Sequence, residues 1–197
     1  MTTSTRDRIL DVAMGLFGEF GYRGTSVARI EKAVGLTPGA GGLYHHFRTK
    51  EELLAAGIER HLSRLEALRD IQRAIGPLDD PRAELTLVAR YTLAEFDREA
   101  ELVRILAAES RARPSLLDDA VRQMFTSTNE RFAEWLCERG LSPERAQAVT
   151  AVGLGALTSH RLMGILLVPA APCVDDEAFV ETWVEMVLAM IGADATP

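Results

Sequence analysis

Apolar residues recur three and four positions apart along nearly the whole chain, from Ile9 to Ile191, and no stretch shows the apolar–polar alternation of a half-buried strand. That property commits the chain to helices packed on helices, an all-α fold. Caps punctuate the pattern. Ser4 or Thr5 opens a first helix whose stripe is Ile9, Ala13, Phe17 and Phe20, and Gly21 stops it. Ser26 caps a second, which buries Val27, Ile30, Ala33 and Val34 and ends at Gly35, a residue suited to a left-handed C′ position. Thr37, with Pro38 behind it, opens a short third helix. Thr49-Lys50-Glu51-Glu52 is a capping box for a fourth that runs to about Ile75, where Gly76-Pro77 breaks it. A fifth starts at Asp80-Pro81, and a sixth spans about Glu101 to Arg111, before Pro114. Ser115 caps a seventh, with the stripe Leu117, Val121, Met124, Phe125, Phe132 and Trp135, and Gly140 closes it. Ser142-Pro143 opens an eighth and Asp175 a ninth.

The last two helices differ from the rest. The eighth carries Val149, Val152, Leu154, Leu157, Met163 and Ile165, which do not share one narrow face. The ninth is apolar nearly all round, from Phe179 through Trp183, Val184 and Val187 to Ile191. A helix without a polar face needs cover on both sides, and a second copy of the chain is the expected cover. Leu157, Trp183, Val184, Val187 and Ile191 are therefore the expected dimer interface.

Charge is distributed unevenly. Residues 1–50 hold seven basic against four acidic side chains, a net +3, within a chain of net −7. A small basic head on an acidic body suits nucleic-acid contact by the head alone. Cys137 and Cys173 have no metal-type spacing and form no disulfide framework. The start, Met1 to Arg8, is polar, which predicts no signal peptide. The longest apolar run, Leu162 to Val174, is too short for a membrane span and is interrupted by Pro169 and Pro172. The expected location is cytoplasmic, with no membrane partner.

The head carries the motif. Gly24-Thr25-Ser26-Val27-Ala28-Arg29-Ile30 leads through Gly35-Leu36-Thr37 to Leu43-Tyr44-His45-His46-Phe47-Arg48-Thr49-Lys50-Glu51-Glu52-Leu53-Leu54. A tight turn between two helices lets the second enter a major groove, and Gly35 supplies such a turn. Thr25 and Ser26 stand at a helix N-terminus, where hydroxyls and N–H groups suit a phosphate. Tyr44 presents a hydroxyl. Lys50 opposes the dipole of the helix it begins, so a phosphate contact would explain it. The combination resembles the TetR family of transcriptional regulators. The resemblance implies a three-helix helix-turn-helix head, residues 1–50, joined by the long fourth helix to a helical effector-binding and dimerising body, residues 51–197. It further implies a homodimer on palindromic operator DNA, most simply a repressor released by a small, largely apolar effector.

One spacing departs from the family pattern. The turn Gly and the Tyr are usually seven positions apart; Gly35 and Tyr44 are nine apart. Counting from Gly35 puts the base-reading positions at Pro38, Gly39 and Ala40; counting from Tyr44 puts them at Ala40, Gly41 and Gly42. The segment lacks Arg, Lys, Asn and Gln, the strongest readers of base edges. Backbone approach, the Ala40 methyl, His45 and Arg29 remain to read sequence. Thr25, Ser26, Arg29, Thr37, Gly39, Ala40, Gly41, Tyr44, His45 and Lys50 are thus the expected DNA contacts.

Rival readings are thin. Gly39-Ala40-Gly41-Gly42 lacks the lysine and the preceding strand of a phosphate loop. His45 and His46 are adjacent and point apart on a helix, so no metal site is expected; Phe47 is read as core and His46 as partly buried. No catalytic signature is present, and neither enzymatic activity nor a cofactor is expected. A helical protein–protein adaptor that has lost sequence-specific DNA binding is the alternative. In the body, Tyr91, Phe96, Glu109, Met124, Phe125, Phe132, Trp135 and His160 are the expected effector contacts.

Overall fold

The computed structural model of the chain describes residues 4–75, 78–167 and 174–194. Gly76-Pro77, Pro169, Pro172 and Cys173 lie outside the described residues. The helices are α1 (Thr5–Gly24), α2 (Val27–Val34), α3 (Lys50–Ile75), α4 (Pro81–Arg98), α5 (Ala100–Glu109), α6 (Pro114–Val121), α7 (Ser127–Cys137), α8 (Pro143–Leu166) and α9 (Asp176–Asp194). No strand forms among the described residues. The chain falls into two compact units, Met1–Ala74 with Glu99–Ala120, and Ile75–Arg98 with Val121–Pro197. The division expected at residue 50 matches neither edge.

The first unit is organised around α1. Ser4 accepts from Asp7 N and caps it, and Ile9, Leu10, Ala13, Met14 and Phe17 are buried. Its neighbours contribute Ile30, Leu43, Phe47, Leu53, Leu54, Leu102, Ile105 and Leu117 to the buried set. Helix α5 lies against α1 closely enough that a Cβ on Gly18 would stand 3.2 Å from the Glu101 Cα. This packing brings residues 99–120 into the same unit as the helix-turn-helix, a tertiary fact that no local pattern carries. Buried Glu99 takes His61 and Arg64 of α3 as partners, which ties α3 to the start of α5.

The second unit buries Leu85, Ala89 and Leu93 of α4 with Phe132, Leu136, Val149, Leu154, Leu157, Val180, Trp183, Val184 and Val187. Trp183 donates its indole N–H to the Gly153 carbonyl at 2.7 Å, pinning α9 to α8. Arg161 holds Asp176 at 2.6 Å and Asp97 at 3.2 Å.

Four expectations need correction. No α-helix forms between Thr37 and Tyr44; the segment is a run of turns ending in a 3-10 turn, Leu43–His45. Phe20 is 39% exposed, on the turn before the backbone leaves helical geometry at Gly21, and the Arg29 guanidinium stands over its ring at 3.5 Å. The seventh predicted helix is two helices, starting at Pro114 rather than after Ser115 and interrupted by a π-turn at Arg122–Thr126. That extra-wide turn breaks the stripe, so Val121 is 37% exposed. Lastly, the expected dimer residues Leu157, Trp183, Val184 and Val187 are at most 2% exposed within one chain. The second cover for α9 is internal: α4 packs on it together with α8.

Candidate nucleic-acid interface

Helix α2 ends as its sequence requires. Gly35 adopts φ 84°, a conformation that costs a residue with a Cβ about 1–2 kcal/mol. Its N–H donates to the Lys32 carbonyl at 3.2 Å, and Leu36 N–H donates to the Glu31 carbonyl at 2.8 Å, the paired bonds of a Schellman stop. Arg8 reaches the Val34 carbonyl at 3.2 Å and completes that end. At the other end Ser26 Oγ accepts from Arg29 N–H.

The chain then presents its exposed positions. Thr37, Gly39, Ala40, Tyr44 and His45 are exposed and Gly41 is half-buried. Gly39 and Gly41 hold φ of 78° and 79°, which no helix accommodates and which explains the missing recognition helix. Two short turns fill its place, with Ala40 N–H donating to the Thr37 carbonyl at 3.2 Å and Tyr44 N–H to the Gly41 carbonyl at 3.0 Å. Glu31 ties this segment to α2. Its carboxylate, 1% exposed, accepts from Gly39 N–H at 2.7 Å and from Leu43 N–H at 3.2 Å. Sequence reading missed it, although a signal existed: Glu31 is flanked by Val27, Ile30 and Val34, a carboxylate set into the apolar face of α2. His46, expected to be partly buried, is exposed.

Two expected phosphate contacts have partners within the protein. Thr25 is fully buried, and its hydroxyl lies 2.9 Å from both the Leu16 and Gly21 carbonyls, to which it donates. Lys50 Nζ donates to the Tyr22 carbonyl at 2.7 Å and the Thr25 carbonyl at 2.9 Å. An ammonium that opposes the dipole of α3 thus serves the C-terminal carbonyls of α1. Burial pushes its pKa below the usual lysine value, with nearby Arg113 adding to the effect. Lys50 and Arg113 each sit 4.0 Å from the Tyr22 ring centre, one cation apiece. Burial also raises the Tyr22 phenol above its ordinary value. Arg113 is paired with Glu109, whose other oxygen accepts from Tyr22 N–H at 3.3 Å.

That last contact engages Glu109, an expected effector contact, within the first unit. In the second unit a cavity of about 640 Å³ opens between the π-turn with α7 and one side of α8. Phe125, Leu154, Leu162 and Met163 line it, along with Asn129, Thr150, Thr158 and Ser159, and no ionisable side chain does. Of the expected effector contacts only Phe125 is there. Phe132 is core, stacked on Trp135 and tilted against Trp183. Trp135 also carries Arg139 over its ring. His160 stacks on Phe179 and meets Asp176 at 3.0 Å, and Phe96 packs on Phe125. Tyr91 and Met124 do not line the cavity.

Known proteins share this architecture. The sequence pattern of a family described as bacterial regulatory proteins, tetR family, matches residues 9–56. The chain is 32% identical over 126 residues to the HTH-type transcriptional repressor AcnR of Corynebacterium glutamicum, covering 61% of this chain and 63% of that protein. It is 30% identical over 165 residues to the uncharacterised HTH-type transcriptional regulator YxaF of Bacillus subtilis, covering 81% of this chain and 82% of that one. A bacterial regulatory protein of the tetR family from Rhodococcus RHA1 superposes with a TM-score of 0.68 at 22% identity, over 96% of this chain and 98% of that one. The chain belongs to the TetR family of bacterial regulatory proteins.

Proposed function

We propose that this chain is a DNA-binding transcriptional regulator, a repressor, that works in the cytoplasm as a homodimer on a palindromic operator and is released by a small, uncharged, largely apolar effector. The observation that carries the reading is the geometry after α2. A left-handed stop at Gly35 is followed by a backbone-rich segment whose Ala40, Tyr44 and His45 are exposed, inside the region that matches the family. With Thr25 and Lys50 engaged internally, the DNA contacts are Ser26 at the start of α2, Arg29, Thr37, Gly39, Ala40, Gly41, Tyr44 and His45. Sequence is read through backbone approach, the Ala40 methyl and DNA shape rather than through long polar side chains.

The dimer forms through the outer face of α8. Val152 and Met163 are 53% and 56% exposed, and with Ser159 they recur at helical spacing on one face, where Ser159 and Met163 also border the cavity beside α8. Ile191 on α9, half-buried, is the one residue of the expected interface that the core leaves partly free. The cavity beside α8 supports the effector reading: without an ionisable lining it offers a charged ligand nothing to pair with.

The test is selection from random duplexes with the full chain, followed by mobility shift of the selected sequence. Retarded bands that respond to salt and to sequence support the reading. The internal use of Thr25 and Lys50 favours the second reading, a helical adaptor, and selection that enriches no sequence would overturn the first.

A further inference from the structure

We infer that Glu31 is the positioning residue for sequence reading: its buried carboxylate takes the place of a recognition helix by holding the segment Gly39–Leu43 in one geometry. The inference rests on the DNA-binding reading above. The segment cannot organise itself. Gly39 and Gly41 stand in left-handed conformations, and Gly42 follows directly. Its own backbone bonds are turns only: Ala40 N–H to Thr37, Tyr44 N–H to Gly41, and His46 and Phe47 N–H to Leu43. A run so rich in glycine has many alternative backbone states and pays heavily in entropy to occupy one.

Glu31 selects among them. It projects from α2, whose end is fixed by the Schellman bonds at Gly35. One oxygen takes Gly39 N–H and the other takes Leu43 N–H, so one rigid carboxylate fixes two points four residues apart. Both bonds have an anionic acceptor and lie out of solvent, which makes them stronger than neutral ones. Two short turns and a carboxylate thus replace the ladder of a helix. The two residues by which Gly35 and Tyr44 exceed the usual spacing fall within Thr37–Gly42, which overlaps the stretch that Glu31 spans. With so few polar base readers, discrimination depends on where this backbone sits, and so on Glu31. Phosphate attraction does not depend on it, because Glu31 is buried and faces the protein.

The test compares the full-length wild-type chain with Glu31→Gln and Glu31→Ala, measuring affinity for the selected operator and for random duplex of equal length. Glu31→Gln keeps the shape but turns an amide N–H₂ toward one of the two N–H donors. We expect operator affinity to fall about tenfold or more, with random-duplex affinity changing less than about twofold. Loss of folding would depress both affinities together, so the ratio separates positioning from mere stability. Amide exchange in the free wild-type protein gives a second readout: Gly39 and Leu43 N–H should be protected, and Glu31→Gln should expose them. An unchanged operator-to-random ratio in both variants, an equal fall in both affinities, or unprotected Gly39 and Leu43 amides in the wild type would each overturn the inference. A wild type that discriminates while Glu31→Gln discriminates equally leaves the DNA-binding reading standing. A wild type that binds no duplex ends both.

Discussion

Lys50→Ala separates two roles for one residue. As a phosphate contact, its loss would lower the slope of log affinity against log salt by about one unit and leave stability alone. The structure assigns it elsewhere, as donor to the Tyr22 and Thr25 carbonyls at 2.7 and 2.9 Å and as a cation over the Tyr22 ring. A hydrogen bond with a charged partner contributes about 1.5–3 kcal/mol. The site is half-buried, so water replaces part of the loss when the side chain is cut back. We take about 2 kcal/mol as the expected cost, with the cation–ring contact within that figure. For a chain of this length that lowers the thermal midpoint by about 4–8 °C. The assay is a thermal melt beside a salt titration of operator binding at a temperature where the variant is folded. The expected outcome is the lower midpoint with an unchanged slope. A slope lower by one at an unchanged midpoint would refute the assignment and return Lys50 to the phosphate backbone.

Three further outcomes follow from single features. Gly35→Ala places a Cβ at φ 84° with no steric neighbour, so only backbone strain acts; urea melts should show a loss of about 1–2 kcal/mol. Val187→Glu puts a charge into a fully buried site and should unfold the second unit outright, whereas Met163→Glu, on an exposed position, should leave a folded chain that sediments as a monomer. The Asp176 carboxyl is held below its ordinary value by the Arg161 hydrogen bond, with His160 assisting. A carboxyl with a depressed folded pKa stabilises above its unfolded value, near 3.8, and loses that contribution as pH falls through the lower folded value. Asp176→Asn should therefore lower stability at neutral pH, flatten the acid limb of the stability profile and leave the most acidic pH little changed; an acid limb as steep as in the wild type would contradict the pairing.

What the sequence made legible was local. Ser4, Ser26 and Ser142 accept the cap hydrogen bonds that their type and position announce, and Gly35 stops α2 in the left-handed conformation expected of it. The head of α3 follows its capping box through the Glu52 N–H bond to Thr49, although the Glu52 side chain takes Arg48 N–H rather than that of the cap. What escaped were partners far away in the chain. Lys50 has the residue type of a phosphate contact, yet its acceptors are the Tyr22 and Thr25 carbonyls, 28 and 25 positions away; Thr25, of the same type, donates nearer by, to Leu16 and Gly21. Helix α9 looked as if it needed a second subunit because its apolar residues surround it; α4, some eighty residues earlier, supplies the cover. The third helix was expected from the motif, while the glycines at 39, 41 and 42 favoured turns, and the glycines prevailed. Glu31 was passed over because a single acidic residue on a short helix reads as a solvated charge until its burial is known.

On this reading the first unit reads DNA and two copies do so together. Selection from a pool of random duplexes by the full-length chain, at near-physiological salt, tests it in one measurement. The expected result is enrichment of a two-fold symmetric sequence with half-sites about one helical turn apart. A pool that stays random, or an enriched sequence with no symmetry, would contradict it.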